Sequence, residues 1–128
     1  MAGTILLFNF EMDSRDRAAI LLVGLPALNS TLRLGIHEPL RQRLVMNYDL
    51  GGLTGEECRT YVMDKLKGAG CHQLVFEENA LQAILNAADG TPRMINKFCN
   101  ASLLIGESNK VATINTDIVM QAINDTEL

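Results

Sequence analysis

Leu50-Gly-Gly-Leu-Thr-Gly-Glu-Glu57 divides the chain and sets the reading of everything after it. Gly51-Gly52 is the strongest breaker pair in the sequence and marks a boundary. Thr54-x-x-Glu57 reads as a capping box, in which each side chain satisfies the other's orphan backbone donor and so starts a helix. Cys58, Tyr61, Val62 and Leu66 continue it as one apolar stripe, and Gly68 and Gly70 close it. The spacing predicts a second helix over 78–88, with Leu81, Ile84, Leu85 and Ala88 inward and Phe76 placed to staple onto Leu81. Gly90 stops that helix. Thr91 is expected to cap a third, with Pro92 at its first position and Ile95, Phe98, Cys99 and Ser102 on one face. Residues 106–110 read as a turn and 111–114 as briefly extended. Asn115 or Thr116 then caps a last helix carrying Ile118, Val119, Ala122 and Ile123. Four short helices with tight links make a small bundle.

Upstream of Gly51 the pattern changes. Thr4-Ile-Leu-Leu-Phe8 and Ala19-Ile-Leu-Leu-Val23 do not alternate, which predicts buried parallel strands. Asn9 ends the first, and the polar stretch 11–17 links it to the second. Gly24-Leu-Pro26 ends the second strand and opens a helix at Ala27. Pro39 starts a short helix carrying Leu40, Arg41, Arg43 and Leu44, and residues 45–50 alternate as an extended segment. The expected fold class is therefore α+β, mostly α. A partial α/β remnant of about two strands plus short helices spans residues 1–52, and a four-helix bundle spans 53–128.

Composition narrows the function. Hydrophobic residues at 48% can fill a core, and with aromatics at only 5% and no tryptophan that core is aliphatic. A net charge of −4 argues against a general nucleic-acid-binding surface. Residues 1–53 carry five Arg, no Lys and five acids, while residues 54–128 carry two Arg, four Lys and ten acids. The only fixed cation of the first part is thus the one suited to bidentate phosphate or carboxylate contacts. Cys58, Cys71 and Cys99 form no Cys-x-x-Cys pair. Besides His72 beside Cys71, His37 is the only imidazole, so no metal site is expected, and the cysteine usage fits a reducing cytoplasm. No apolar run approaches the roughly 18 residues of a membrane span, so membrane insertion is not expected, and Met1-Ala-Gly-Thr4 lacks the basic start of a signal peptide.

Four residues are candidates for chemistry. Asn9 follows a predicted parallel strand, where ligands of open α/β sheets gather, and there an amide orients water or touches a terminal phosphate; as a plain loop residue it caps a turn. Arg41 and Arg43 end a short helix. Offered across a subunit boundary, such an arginine stabilises a transferring phosphoryl group, an effect of roughly 10³–10⁵ in rate; otherwise it complements a helix C-terminus. Arg93 lies in the first turn after Thr91-Pro92. A cation is mildly wrong for the dipole there, yet free N–H groups favour an anion; the alternative is a solvent-facing arginine. No Gly-x-x-x-x-Gly-Lys-[Ser/Thr], Gly-x-Ser-x-Gly or His-Glu-x-x-His occurs, nor an apolar strand ending in Asp-Glu. Glu56-Glu57 and Glu77-Glu78 fall at helix starts, where they complement the dipole.

Phe8-Asn9-Phe10-Glu11, Leu22-Val-Gly-Leu-Pro-Ala-Leu28, Leu40-Arg-Gln-Arg-Leu44, Leu50-Gly-Gly-Leu-Thr-Gly-Glu-Glu57 and Gly90-Thr-Pro-Arg-Met-Ile-Asn96 follow one another in an order and spacing that resembles the C-terminal part of AAA+ ATPases. Within them the pattern is similar to the branch of general secretion pathway protein A and transposition-accessory ATPases, without the Walker A and Walker B segments. The resemblance implies that Asn9 is a sensor 1, Arg41 or Arg43 an arginine finger and Arg93 a sensor 2. It implies that 1–52 is a remnant of the α/β core and 53–128 a helical lid. It also implies ATP and magnesium as ligands of the parent family, with none bound by this chain alone, which is expected to be inactive. The parent would drive oligomeric assembly in secretion or in DNA transposition. In that fold another strand lies between the two kept here, so the strands are expected to pair with each other, with a second copy (self-association), or with the missing ATPase half or neighbouring subunits. A free-standing helical module from a mobile element, binding protein or DNA, is the alternative.

Overall fold

A computed structural model describes residues 19–126 of the 128-residue chain. These residues belong to two compact units divided between Leu50 and Gly51. The first contains α1 (Ala27–Leu32), a 3-10 turn (Gly35–His37) and α2 (Glu38–Arg41). The second contains α3 (Gly55–Gly68), α4 (Glu78–Ala88), α5 (Pro92–Ser108) and α6 (Thr116–Thr126). No helix among the described residues is long and apolar enough to cross a membrane.

The expected α+β fold class is overturned: the described residues contain helices and no sheet. Residues 19–23 have no regular secondary structure, and Leu21 and Val23 are 85% and 83% exposed. The reason is partnership. An apolar run becomes a strand only where a neighbour takes its N–H and C=O groups, and no described segment does so here. The other predicted strand, Thr4–Phe8, and the polar stretch 11–17 lie outside the described residues. In the first unit, Pro26 sits at the N-cap of α1 in helical geometry, and Leu32 and Leu40 are the buried residues. Residues 44–50 have no regular structure, and Arg43 and Leu44 fall past the end of α2.

The second unit is the expected helical bundle. Glu57 N–H donates to Thr54 Oγ1 at 3.3 Å and Thr54 N–H to Glu57 Oε2 at 2.8 Å, completing the capping box of α3. That helix ends in a Schellman turn: Cys71 N–H reaches Leu66 O at 2.9 Å and Gly70 N–H reaches Lys67 O at 3.0 Å, with Gly70 at φ 82°. Phe76 and Leu81, both 1% exposed, occupy the staple positions at the start of α4. Asn115 Oδ1 accepts from Ile118 N–H at 3.1 Å and caps α6. Phe76, Leu81, Ile84, Ile95, Phe98 and Val119 are the largest fully buried hydrophobic side chains of the core.

Two local expectations fail. Thr91 occupies the N-cap of α5, but its side chain makes no capping hydrogen bond. α5 also runs through Gly106 to Ser108 where a turn was expected. Gly106 is buried because Ile114 lies on it: a Cβ there would fall 2.2 Å from Ile114 Cδ1. A glycine within a helix costs at most about 0.5–1 kcal/mol, offset by the burial of Ile114 to 3% exposure.

α5 ends in a second Schellman turn, with Val111 N–H on Gly106 O at 3.1 Å and Lys110 N–H on Glu107 O at 3.0 Å. Here Lys110, at φ 55°, holds the left-handed position. Lys110→Gly is expected to stabilise the chain by about 1 kcal/mol, read as a higher urea midpoint at unchanged slope. Ser102 Oγ is fully buried and has no hydrogen-bond partner among the described residues. Ser102→Ala removes an unsatisfied polar atom and is expected to be neutral or to stabilise by about 1–2 kcal/mol. A loss larger than about 1 kcal/mol in the same titration would show that the hydroxyl has a partner.

Candidate functional site

The candidate site is the start of α5, and the turn before it sets its position. Asp89 (φ 45°) and Gly90 (φ 71°) both take positive φ, and Thr91 N–H donates to Ala88 O at 3.0 Å. This is the type I′ pattern that favours Asp-Gly. Gly90 is needed twice over. Its φ strains any L side chain, and a Cβ would lie 2.5 Å from Leu53 O. The close approach lets Leu53 N–H donate to Gly90 O at 2.8 Å. The chain leaving Gly51 is thereby attached to the turn from which α5 departs.

Pro92 then occupies the first turn, where its missing N–H costs nothing. Arg93 follows it. Its side chain is exposed and has no hydrogen-bond or ion-pair partner among the described residues, and no acid sits in that first turn. One helical turn on, Asn96 Nδ2 donates to Tyr61 OH at 3.0 Å, joining α5 to α3. Lys65 Nζ lies 5.5 Å from the centre of the Tyr61 ring. The exposed guanidinium and the helix dipole both favour an anion at this end.

Arg41 is differently placed. Its Nη1 donates to Arg33 O at 3.0 Å and to Leu32 O at 3.4 Å, and its Nη2 lies 3.2 Å from Glu38 Oε2. It caps the carbonyl end of α1, the role of a cation at a helix C-terminus. Arg43 is exposed, and its N–H donates to Leu40 O at 3.0 Å. Both belong to the first unit, and Arg93 belongs to the second. Asn9 lies outside the described residues. Among the described residues no group of three His, Cys, Asp or Glu is placed to hold a metal ion. Burial pushes the Cys99 thiol up to about 11, so it stays protonated and unreactive at neutral pH.

An open groove of about 610 Å³ runs beside α3, lined by Leu53, Thr54, Glu56, Glu57, Thr60, Tyr61 and Asp64. Its three carboxylates repel phosphate, so this groove is unsuited to an anion. Sequence reading assigned no role to Asn96 or to Leu53, and it placed Tyr61 in an apolar stripe. Asn96 did stand inside the quoted Gly90–Asn96 motif, but nothing in that string identifies its partner on α3.

Two carboxyls near α3 are held below their ordinary value of 4.5. Thr54 N–H does this for Glu57, and the Arg59 guanidinium, which pairs with Glu78 across both oxygens, does it for Glu78. A depressed folded-state value means that each contributes stability present above the unfolded value and lost as pH falls through the folded one. Urea unfolding is therefore expected to show stability declining below about pH 4.5. Glu57→Gln with Glu78→Gln should make that decline shallower, and an unchanged acid limb would show that other carboxyls carry it.

No protein-family model and no solved structure matches the chain. The sequence is 35% identical over 99 residues, 77% of its own length, to the General secretion pathway protein A of Aeromonas hydrophila. The matched stretch is 18% of that protein, so the chain spans under a fifth of the relative. Over most of its length the chain is thus related to one segment of General secretion pathway protein A.

Proposed function

We propose that the chain is the sensing and lid segment of an AAA+-type ATPase related to General secretion pathway protein A, and that it does not hydrolyse ATP alone. Arg93 carries the reading. It is an exposed guanidinium without a partner among the described residues, two positions into a seventeen-residue helix whose first turn holds no acid. An anionic phosphate meets there both a fixed charge and the positive end of a dipole. The sequence given holds no glycine-and-lysine phosphate cradle. Chemistry on ATP and magnesium therefore needs that cradle from elsewhere, and Arg93 acts as sensor 2 on a nucleotide held by it. Residues 1–52 act as the core remnant and 53–128 as the lid, with Asn9 as sensor 1. Arg41 would have to give up the α1 carbonyls and Glu38 to act as a finger in trans, and Arg43 is the other candidate.

The first unit supports the partner side of this reading. Leu21, Val23, Leu25, Val45, Met46 and Leu50 are each more than 80% exposed. Apolar groups so arranged favour association, with a second copy or with the rest of the ATPase. The parent's work is in secretion, the process named by the relative, and the transposition branch, with DNA as its partner, is the second choice.

A chimera tests the reading. The matched segment of the Aeromonas hydrophila relative is replaced by this chain's residues, and ATP turnover is measured. Turnover is expected to persist, and to fall by roughly 10²-fold with Arg93→Ala, while this chain alone shows none above background. Enzyme-like hydrolysis by the isolated chain, or a chimera indifferent to Arg93→Ala, would refute the assignment.

A further inference from the structure

The chain passes from free to fixed within two residues. Val45, Met46, Tyr48 and Leu50 are each more than 80% exposed, in a stretch without regular secondary structure. A Cβ on Gly51 would meet nothing within 4 Å. On Gly52 it would meet Gly90 O at 3.2 Å and Gly90 Cα at 3.4 Å. At Leu53 the backbone N–H is bonded to Gly90 O, the carbonyl lies against Gly90 Cα and receives Cys58 Sγ at 3.7 Å, and the side chain packs on the core. A second tie lies one turn further along α5, where Asn96 bonds Tyr61 in the middle of α3. Arg93 lies between the two ties.

We propose that Gly52–Leu53, the Asp89–Gly90 turn and the first turn of α5 form one clamp. The clamp ends at Gly52, so that a displacement of Arg93 moves Leu53 with it and is not absorbed in the loop before α5. Gly90 and Asn96 are positioning residues in this device: neither has to touch an anion, and both fix where Arg93 stands relative to Leu53. The clamp is independent of what Arg93 binds. The transmission through it rests on the reading of Arg93 as the anion-sensing residue.

The test uses the full chain labelled with ¹⁵N. Amide hydrogen exchange is expected to be near the unprotected rate at Leu50 and Gly51, and at least about 100-fold slower at Leu53. Gly90→Ala should abolish the protection of Leu53 while the amide of Val119, in the core of α6, keeps its own. If Gly90→Ala leaves the chain unfolded, Gly52→Ala loosens the same contact without altering the turn glycine, and should reduce the protection of Leu53 selectively. Titration with inorganic tripolyphosphate should shift the Arg93 side-chain resonance and the Leu53 amide together in the unaltered chain, and Arg93 alone in the loosened variant. Leu53 exchanging as freely as Leu50, or moving with Arg93 in the loosened variant as before, overturns the clamp. Tripolyphosphate that moves neither resonance refutes the anion reading of Arg93, and the exchange rates still decide the clamp.

Discussion

A single pair of parallel backbone contacts closes the helical bundle. Ile114 N–H donates to Val75 O at 2.7 Å, and Glu77 N–H donates to Ile114 O at 2.9 Å. These two bonds join the connection before α4 to the connection before α6, so both helices start from one fixed point. The bridge lasts because its side chains are removed from water: Phe76 is 1% exposed and Ile114 3%. It also dictates composition elsewhere. Ile114 reaches the backbone of α5 only because residue 106 has no side chain, which puts a glycine in the last turn of a helix against its propensity. Local preference yields here to long-range packing.

A second close backbone approach, Gly90 on Leu53, does for the front of the bundle what Ile114 on Gly106 does for the back. Both are places where a methyl group would overlap a neighbour. Between them α5 is held at both ends, its N-terminus by Gly90 and Asn96, and its C-terminus by the Schellman turn at Lys110. An arginine at a helix start is electrostatically awkward on its own. Set on a helix this firmly anchored, it is a charge at a defined place, with no acid in its own helical turn. Fixed geometry and an exposed guanidinium together are what anion sensing requires.

The two units differ in how far they satisfy themselves. The four-helix unit buries a continuous aliphatic core. Among the described residues, the unit before Gly51 buries Leu32 and Leu40 and leaves most of its other large apolar side chains in water. Its arginine chemistry is partly internal as well, since Arg41 closes α1. The relationship to General secretion pathway protein A covers a stretch that is 18% of that protein.

The sequence by itself determined the helices of the second unit. The Thr54–Glu57 box, the Phe76–Leu81 staple, Pro92 and Asn115 are local signals, each acting within a turn of its own residue, and the apolar spacing from Cys58 to Ile123 named the core. Local signals also suggested strands at 4–8 and 19–23, and for 19–23 they misled, because a strand is stable only with a partner that no short window of sequence contains. Arg93 was legible as an anomaly of charge at a helix start. Tertiary structure alone decided that Gly90 grips Leu53, that Asn96 meets Tyr61 and that Gly106 makes room for Ile114. These contacts join residues 8 to 37 positions apart, and periodicity carries no information about which distant backbone a bare glycine will admit.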